Sequence, residues 1–80
     1  MDANEWMQHV VAAVAEETET PASEISADST AADVPGWDSL AHVRIMLNIE
    51  ARAGQPVDID ASYTVATVGE LVALLAGTGS

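Results

Sequence analysis

Asp38, Ser39 and His42 are the residues of this chain whose types and spacing could do chemistry. They fall within one turn of a predicted helix, where Ser39 and His42 are three positions apart and therefore neighbours on its surface. A nucleophile elbow needs glycine two residues after the serine, and this chain has Ala41 there. A triad also needs an orienting acid and an oxyanion hole, which a short amphipathic bundle does not offer. The sequence therefore disfavours a serine hydrolase, and Asp38 or Ser39 could simply cap the helix.

Two further patterns in the sequence bear on metal binding. The segment 58–62 begins like a calcium loop, but Tyr63 stands where glycine is required and Gly69 where the bidentate glutamate belongs. His9 and His42 lie on different predicted helices without ligand spacing. We predict no metal site and expect His42 to be solvated or to face a partner.

Composition narrows the class of protein. The chain has 80 residues, no cysteine, 49% hydrophobic and 4% aromatic residues, which predicts one small domain with an aliphatic core. Its net charge is −11, with Arg44 and Arg52 as the only bases, so we expect no nucleic-acid or anionic-membrane partner. The acidic start lacks the basic region of a signal peptide, and no apolar run is long enough for a membrane span. We expect a monomeric cytoplasmic protein that meets protein partners.

The elements that would position Ser39 are helical. Apolar spacing and capping residues predict an all-α fold, a small bundle of three main helices plus one short helix. The predicted helices run from an Asn4 cap to about Glu17, from Ser39 to Ala53, briefly near Ala61–Tyr63, and from a Thr67/Glu70 capping box to Gly77. The core spans about 4–76 of a single 1–80 domain, and 77–80 is predicted to be a flexible tail.

The apolar residues indicate which surfaces are buried. The first helix should bury Met7, Val10, Val11 and Val14, with Trp6 flanking them, and the loop 19–37 should be pinned by Ile25, Val34 and Trp37. The second helix has two apolar stripes, Leu40–Val43–Leu47 and Ile45–Met46–Ile49–Ala53, and a narrow polar edge of Ala41, Arg44, Asn48 and Arg52. One stripe should pack in the bundle. The other could lie under the loop, line a cleft or face a partner.

Taken together, the chain resembles the acyl carrier proteins from Glu5 to Ala76. The resemblance rests on three stretches: Gly36–Leu40, the following helix through Leu47, Ile49 and Glu50, and Thr67–Leu75. It implies a non-catalytic carrier in which Ser39 is esterified by 4'-phosphopantetheine, transferred from coenzyme A by a phosphopantetheinyl transferase. The arm's thiol would carry acyl groups as thioesters, which suits a chain without cysteine. A peptidyl carrier, or a helical adaptor without a prosthetic group, stays open as an alternative.

The resemblance also implies partners and a pathway. The transferase and the acyl-loading and acyl-processing enzymes would bind at Asp38, Leu40, Val43, Arg44 and Leu47. Carriers of primary fatty-acid synthesis usually have acids along this helix, whereas this chain has Ala41, Arg44, Ala51 and Arg52 and keeps only Glu50. This departure favours polyketide or other specialised biosynthesis.

Overall fold

The structure, a computed structural model, describes residues 1–78. Within that range, four α-helices and two 3₁₀ turns make up the helical structure. The helices are α1 (Ala3–Thr18), α2 (Ser39–Ala53), α3 (Ile59–Ser62) and α4 (Val68–Thr78), and the turns are Ala22–Glu24 and Ala31–Asp33. The predicted small all-α bundle is therefore confirmed. No helix in residues 1–78 is long and apolar enough to cross a membrane.

The start of α1 differs from the prediction. Its cap is Asp2 rather than Asn4: Asp2 accepts a hydrogen bond from the Glu5 backbone N–H at 2.9 Å, and the Glu5 carboxylate accepts the Asp2 N–H in return. This reciprocal pairing satisfies two backbone donors at the start of the helix. The helix ends at Thr18, one residue later than predicted. The next residue, Glu19, takes a left-handed conformation with φ of 56° and ends the helix.

The predicted capping box of α4 is confirmed. The Glu70 N–H donates to Thr67 Oγ1 at 3.1 Å, and the Glu70 carboxylate accepts the Thr67 N–H at 3.3 Å. At its other end, α4 passes through Gly77, the predicted stop, to Thr78. Of the predicted flexible tail, Gly79 and Ser80 lie outside the described residues.

The core lies where α1 packs against both α2 and α4. One correction concerns Trp6, which was expected to flank the buried face but is only 2% exposed, because its large ring is needed to fill an otherwise aliphatic core. A second concerns Ala41, which was assigned to the polar edge of α2 but is 1% exposed. The buried stripe of α2 consists of Ile45, Met46, Ile49 and Ala41. The first three belong to one of the two stripes that the sequence predicts.

The long loop between α1 and α2 is attached to the start of α4. The Val68 N–H donates to the Ser29 carbonyl and the Gly69 N–H to the Ala27 carbonyl, each at 2.9 Å. A Cβ at residue 69 would lie 3.1 Å from that Ala27 oxygen, so the close approach favours glycine there. The predicted anchors Ile25 and Val34 are both buried. The loop is thus a fixed part of the bundle and brings the chain to α2 at a defined place.

Candidate functional site

Ser39 is the first residue of α2, and it is exposed. The preceding residue, Asp38, is the helix cap, and its carboxylate accepts the Ala41 backbone N–H at 2.8 Å. Because Asp38 fills the capping role, the Ser39 hydroxyl is not needed for it. No hydrogen bond to that hydroxyl is found among residues 1–78. The alternative in which Ser39 serves only as a cap is therefore wrong.

The turn before Asp38 fixes where the serine points into solvent. Val34 is buried, and the Trp37 N–H donates to the Val34 carbonyl at 3.2 Å, which closes a tight turn around Pro35 and Gly36. Gly36 has φ of 87°, a conformation that glycine adopts without a steric penalty. The turn packs against Thr18 at the end of α1. Ser39 is thus held at a rigid corner of the bundle.

His42, three residues after Ser39, lies at the centre of a hydrogen-bonded chain. The Trp37 indole N–H donates to His42 Nδ1 at 3.2 Å, and His42 Nε2 lies 2.7 Å from the Ser62 hydroxyl oxygen. The Ser62 hydroxyl in turn donates to the Ile59 carbonyl. An indole can only donate, and the Ser62 proton is already used, so both neighbours require neutral His42 with its proton on Nε2.

Aromatic rings surround this imidazole on two sides. Trp37 lies edge to edge with it, nearly coplanar at 19° and with a centroid separation of 6.1 Å, as their shared hydrogen bond requires, and Tyr63 lies 4.6 Å away at 40°. Burial among these groups lowers the pKa of His42 below its ordinary value of 6.5, because it disfavours the charged form. His42 is therefore engaged within the molecule rather than simply solvated, and its partly exposed ring lines the groove beside Ser39, where facing a partner stays a prediction. Its partner Ser62 is 20 positions away, so no local pattern in the sequence could reveal the contact.

A groove and a cavity meet at these rings. The groove lies beside Ser39 and is lined by Asp38, Trp37, His42 and Tyr63. The cavity, of 190 Å³, is partly open to solvent, continues towards α4 and is also lined by Ser62, Val65, Ala66, Thr67 and Leu71. Trp37, His42 and Tyr63 belong to both linings. These three side chains therefore line both the groove beside Ser39 and a partly open, mainly apolar pocket that reaches Leu71.

The predicted partner-binding residues lie along the outer side of α2. Leu40 is 66% exposed and Leu47 is 50% exposed, while Val43 is half-buried between them. Of the two apolar stripes, this is the one that stays outside the bundle. Arg44 is exposed beside them, and Asp38 is exposed at the start of the helix.

Both arginines of α2 have acidic partners on α1. Arg52 pairs with Glu16 at 2.9 Å and Arg44 with Glu17 at 3.5 Å. Asn48 lies between them and donates to both glutamates, at 3.0 and 2.9 Å. The positive charges predicted for the partner surface are therefore partly neutralised within the molecule.

The comparison with known proteins identifies the class of domain. The family described as the phosphopantetheine attachment site matches residues 8–75, which is most of the chain. This chain belongs to that family, whose domains are non-catalytic carriers with a covalently attached 4'-phosphopantetheine. No curated protein and no solved structure matches the chain.

The residues around Ser39 fit such a group. An exposed, unengaged hydroxyl at the first residue of a helix can be esterified without breaking a hydrogen bond of the fold. The first-turn N–H groups and the helix dipole favour a negative phosphate at that end. The chain has no cysteine, so a thiol for thioester chemistry has to come from the arm.

Proposed function

We propose that this chain is an acyl carrier protein and that Ser39 is the residue to which 4'-phosphopantetheine is attached. The observation that supports this most is at the start of α2. Asp38 caps the helix, so the Ser39 hydroxyl is left exposed and without a hydrogen-bond partner among residues 1–78. The bound arm supplies a terminal thiol that carries acyl groups as thioesters. The protein's own residues present the serine, hold the turn before it and offer a surface to partner enzymes.

Intact-mass measurement tests the attachment site. Incubation of the apo-protein with coenzyme A, Mg²⁺ and a broad-specificity phosphopantetheinyl transferase should add the mass of one phosphopantetheine. Ser39→Ala should abolish the addition, whereas the matched control Ser23→Ala, also an exposed serine at a helical turn, should keep it. Circular dichroism should show both variants folded. Addition to Ser39→Ala would refute the assignment.

The outer face of α2 is the surface that we propose for partner binding. Exposed apolar residues close to a reactive group are a common sign of a protein–protein contact. Leu40 and Leu47 supply that apolar surface, with Val43 between them, and Asp38 and Arg44 supply charge at its edge. The phosphopantetheinyl transferase and the enzymes that load and process the acyl group are the proposed partners.

We further propose that the carrier serves polyketide or other specialised biosynthesis rather than primary fatty-acid synthesis. Helix α2 has a single acid, Glu50, and its carboxylate is engaged in accepting the Val57 backbone N–H at 3.1 Å. The outer face therefore offers apolar and basic groups where a basic enzyme patch needs acids. The Trp37–Asp38 pair before the serine supports an acyl rather than a peptidyl cargo.

A further inference from the structure

The two arginines of α2 are held in different ways. Arg52 donates from Nε to the Asn48 side-chain oxygen at 2.6 Å and from Nη2 to the Glu16 carboxylate at 2.9 Å. Arg44 has a single ionic contact, in which its Nε lies 3.5 Å from a Glu17 carboxylate oxygen. Its side chain forms no hydrogen bond within the part of the chain that the structure describes. The donors of the Arg44 guanidinium are therefore free to bind another group.

Glu17 does not depend on Arg44 for a partner. Its other carboxylate oxygen accepts a hydrogen bond from the Asn48 amide nitrogen at 2.9 Å. The same nitrogen donates to Glu16 at 3.0 Å, so Asn48 joins α1 to α2 through both glutamates. If Arg44 turned away, these contacts would remain, and the fold would give up one exposed ion pair of the kind that contributes little to stability.

The geometry of the helix places Arg44 on the side of α2 that faces solvent. Four exposed residues, spaced three or four positions apart, form an outer strip of the helix: Leu40, Arg44, Leu47 and Ala51. Asn48 and Arg52 follow Arg44 by four and eight positions, and each step of four turns the helix a little further towards α1. Arg44 is thus the charged member of an otherwise apolar strip, whereas Arg52 lies beside α1.

We propose that Arg44 is a binding site for a single carboxylate of a partner enzyme. On docking, its guanidinium leaves Glu17 and pairs with that carboxylate, while Asn48 retains Glu17 and Arg52 retains Glu16. Leu40 and Leu47 make the apolar contact on either side of the ion pair. This inference rests on the proposed carrier function and adds the chemistry of the partner at its docking surface.

The charge of the chain and the shape of a guanidinium define the partner surface. A guanidinium with free donors binds a carboxylate through two parallel hydrogen bonds, and surrounding apolar groups strengthen the pair by excluding water. The net charge of −11 would repel an extended acidic patch, and it would repel a nucleic acid or an anionic membrane for the same reason. The surface that fits is therefore apolar, with one carboxylate opposite Arg44.

Hydrogen exchange of the arginine side chains tests the difference between the two cations in the apo-protein. The chain has only two arginines, so Arg44→Gln assigns both Nε–Hε signals in a ¹⁵N spectrum. The Arg52 group is bonded to Asn48, so its exchange with water should be severalfold slower than that of Arg44. Asn48→Ala should speed the exchange of Arg52 and leave that of Arg44 unchanged. Equal rates for the two arginines in the wild type would contradict the proposal.

A change of charge on a partner enzyme tests the carboxylate. The probe is an enzyme of fatty-acid synthesis that acylates carriers through a basic patch, with each basic residue of that patch changed to glutamate in turn. One of these variants should acylate the wild-type holo-protein about tenfold or more faster than the unaltered enzyme does. Arg44→Gln should abolish this gain, whereas the matched control Arg52→Gln should keep it, because Arg52 is bonded to α1.

The outcomes separate this proposal from the carrier function. Absence of a gain with every glutamate variant of the patch, or a gain that Arg44→Gln keeps, would overturn the proposal, and so would a gain that both arginine variants lose equally. Circular dichroism should show both variants folded. Failure of the carrier function would appear instead as the absence of a phosphopantetheine mass on Ser39. The exchange rates of the arginines are measured on the apo-protein and do not depend on that mass.

Discussion

The two ends of α2 are attached to the bundle by different chemistry. Near Ser39, His42 joins Trp37 and Ser62 through neutral hydrogen bonds within a half-buried aromatic cluster. Towards the other end of α2, on the side that faces α1, Asn48 donates hydrogen bonds to Glu16 and Glu17 and Arg52 pairs with Glu16, while Arg44, two residues after His42, pairs with Glu17.

The two sets of contacts respond to different solution conditions. Exposed ion pairs weaken as salt screens them and contribute little to stability. A partly buried neutral network is insensitive to salt but responds to a proton at the histidine. Ile45 and Ile49, which are fully buried on the inner side of α2, hold the helix in the core under either condition. The contacts near Ser39 therefore respond to acid, and those with Glu16 and Glu17 respond to salt.

The largest effect that we expect is on the choice of partner enzyme, through Arg44 and Arg52. Like charges brought together at an interface can cost several kcal/mol. A fatty-acid elongation enzyme with a basic patch should therefore acylate the holo-protein slowly, and Arg44→Glu with Arg52→Glu should raise the rate about tenfold or more, at roughly 1.4 kcal/mol per factor of ten. The readout is the acylation rate with one such enzyme.

The structure supplies the control for this comparison. The double change also puts carboxylates beside Glu16 and Glu17, so Arg44→Gln with Arg52→Gln is needed to remove positive charge without adding negative charge. Rates should rise from the wild type through the glutamine pair to the glutamate pair. A wild type that is acylated as fast as the glutamate pair would remove the main support for a specialised pathway.

A smaller effect is expected at the Ser39 end, where capping and attachment are divided between neighbours. Asp38→Ala should lower the free energy of unfolding by about 0.5–2 kcal/mol, because the Ala41 N–H loses its acceptor. Ser39→Ala should change it by no more than about 0.5 kcal/mol, as expected for an exposed side chain without a partner. Urea unfolding of both variants measures this, and equal losses would mean that Ser39 shares the capping role.

Local sequence patterns predicted what depends on a few consecutive residues. The bounds of α2 and the Thr67/Glu70 box followed from spacing and caps alone, and both are confirmed. The Asp2 cap was within reach of the same reasoning, because Asp2 and Glu5 have the spacing of a capping box. These features need no knowledge of how the chain folds back on itself.

Contacts between distant segments could not be predicted in this way. Ala41 is not such a case, because it lies four residues before Ile45 and eight before Ile49, so helical spacing alone places it on their buried stripe. His42 is engaged because α3 returns Ser62 to it, and the arginines are neutralised because the end of α1 lies beside α2. The contacts of His42 and of the two arginines come from tertiary packing that helical periodicity does not specify.

The smallest effect concerns the stability supplied by the ionic end itself. Glu16→Gln with Glu17→Gln removes both salt bridges but also reduces the net charge from −11 to −9 (−11 + 2), which relieves self-repulsion. Glu19→Gln with Glu24→Gln makes the same change in charge at exposed residues that form no salt bridge within residues 1–78. The difference between the two double variants therefore isolates the ion pairs.

At low salt, we expect the Glu16→Gln/Glu17→Gln variant to have a free energy of unfolding lower than that of the Glu19→Gln/Glu24→Gln variant by about 1 kcal/mol or less. The gap should close as salt is added, because the pairs are exposed and screened, while the melting temperature of the wild type rises as its excess negative charge is screened. Thermal melts across ionic strength measure both trends. A gap that persists at about 1 M salt, where the screening length is about 3 Å, would mean that these contacts stabilise α2 by packing rather than by charge. The contrast with the neutral His42 end, which should show no such salt dependence, would then be lost.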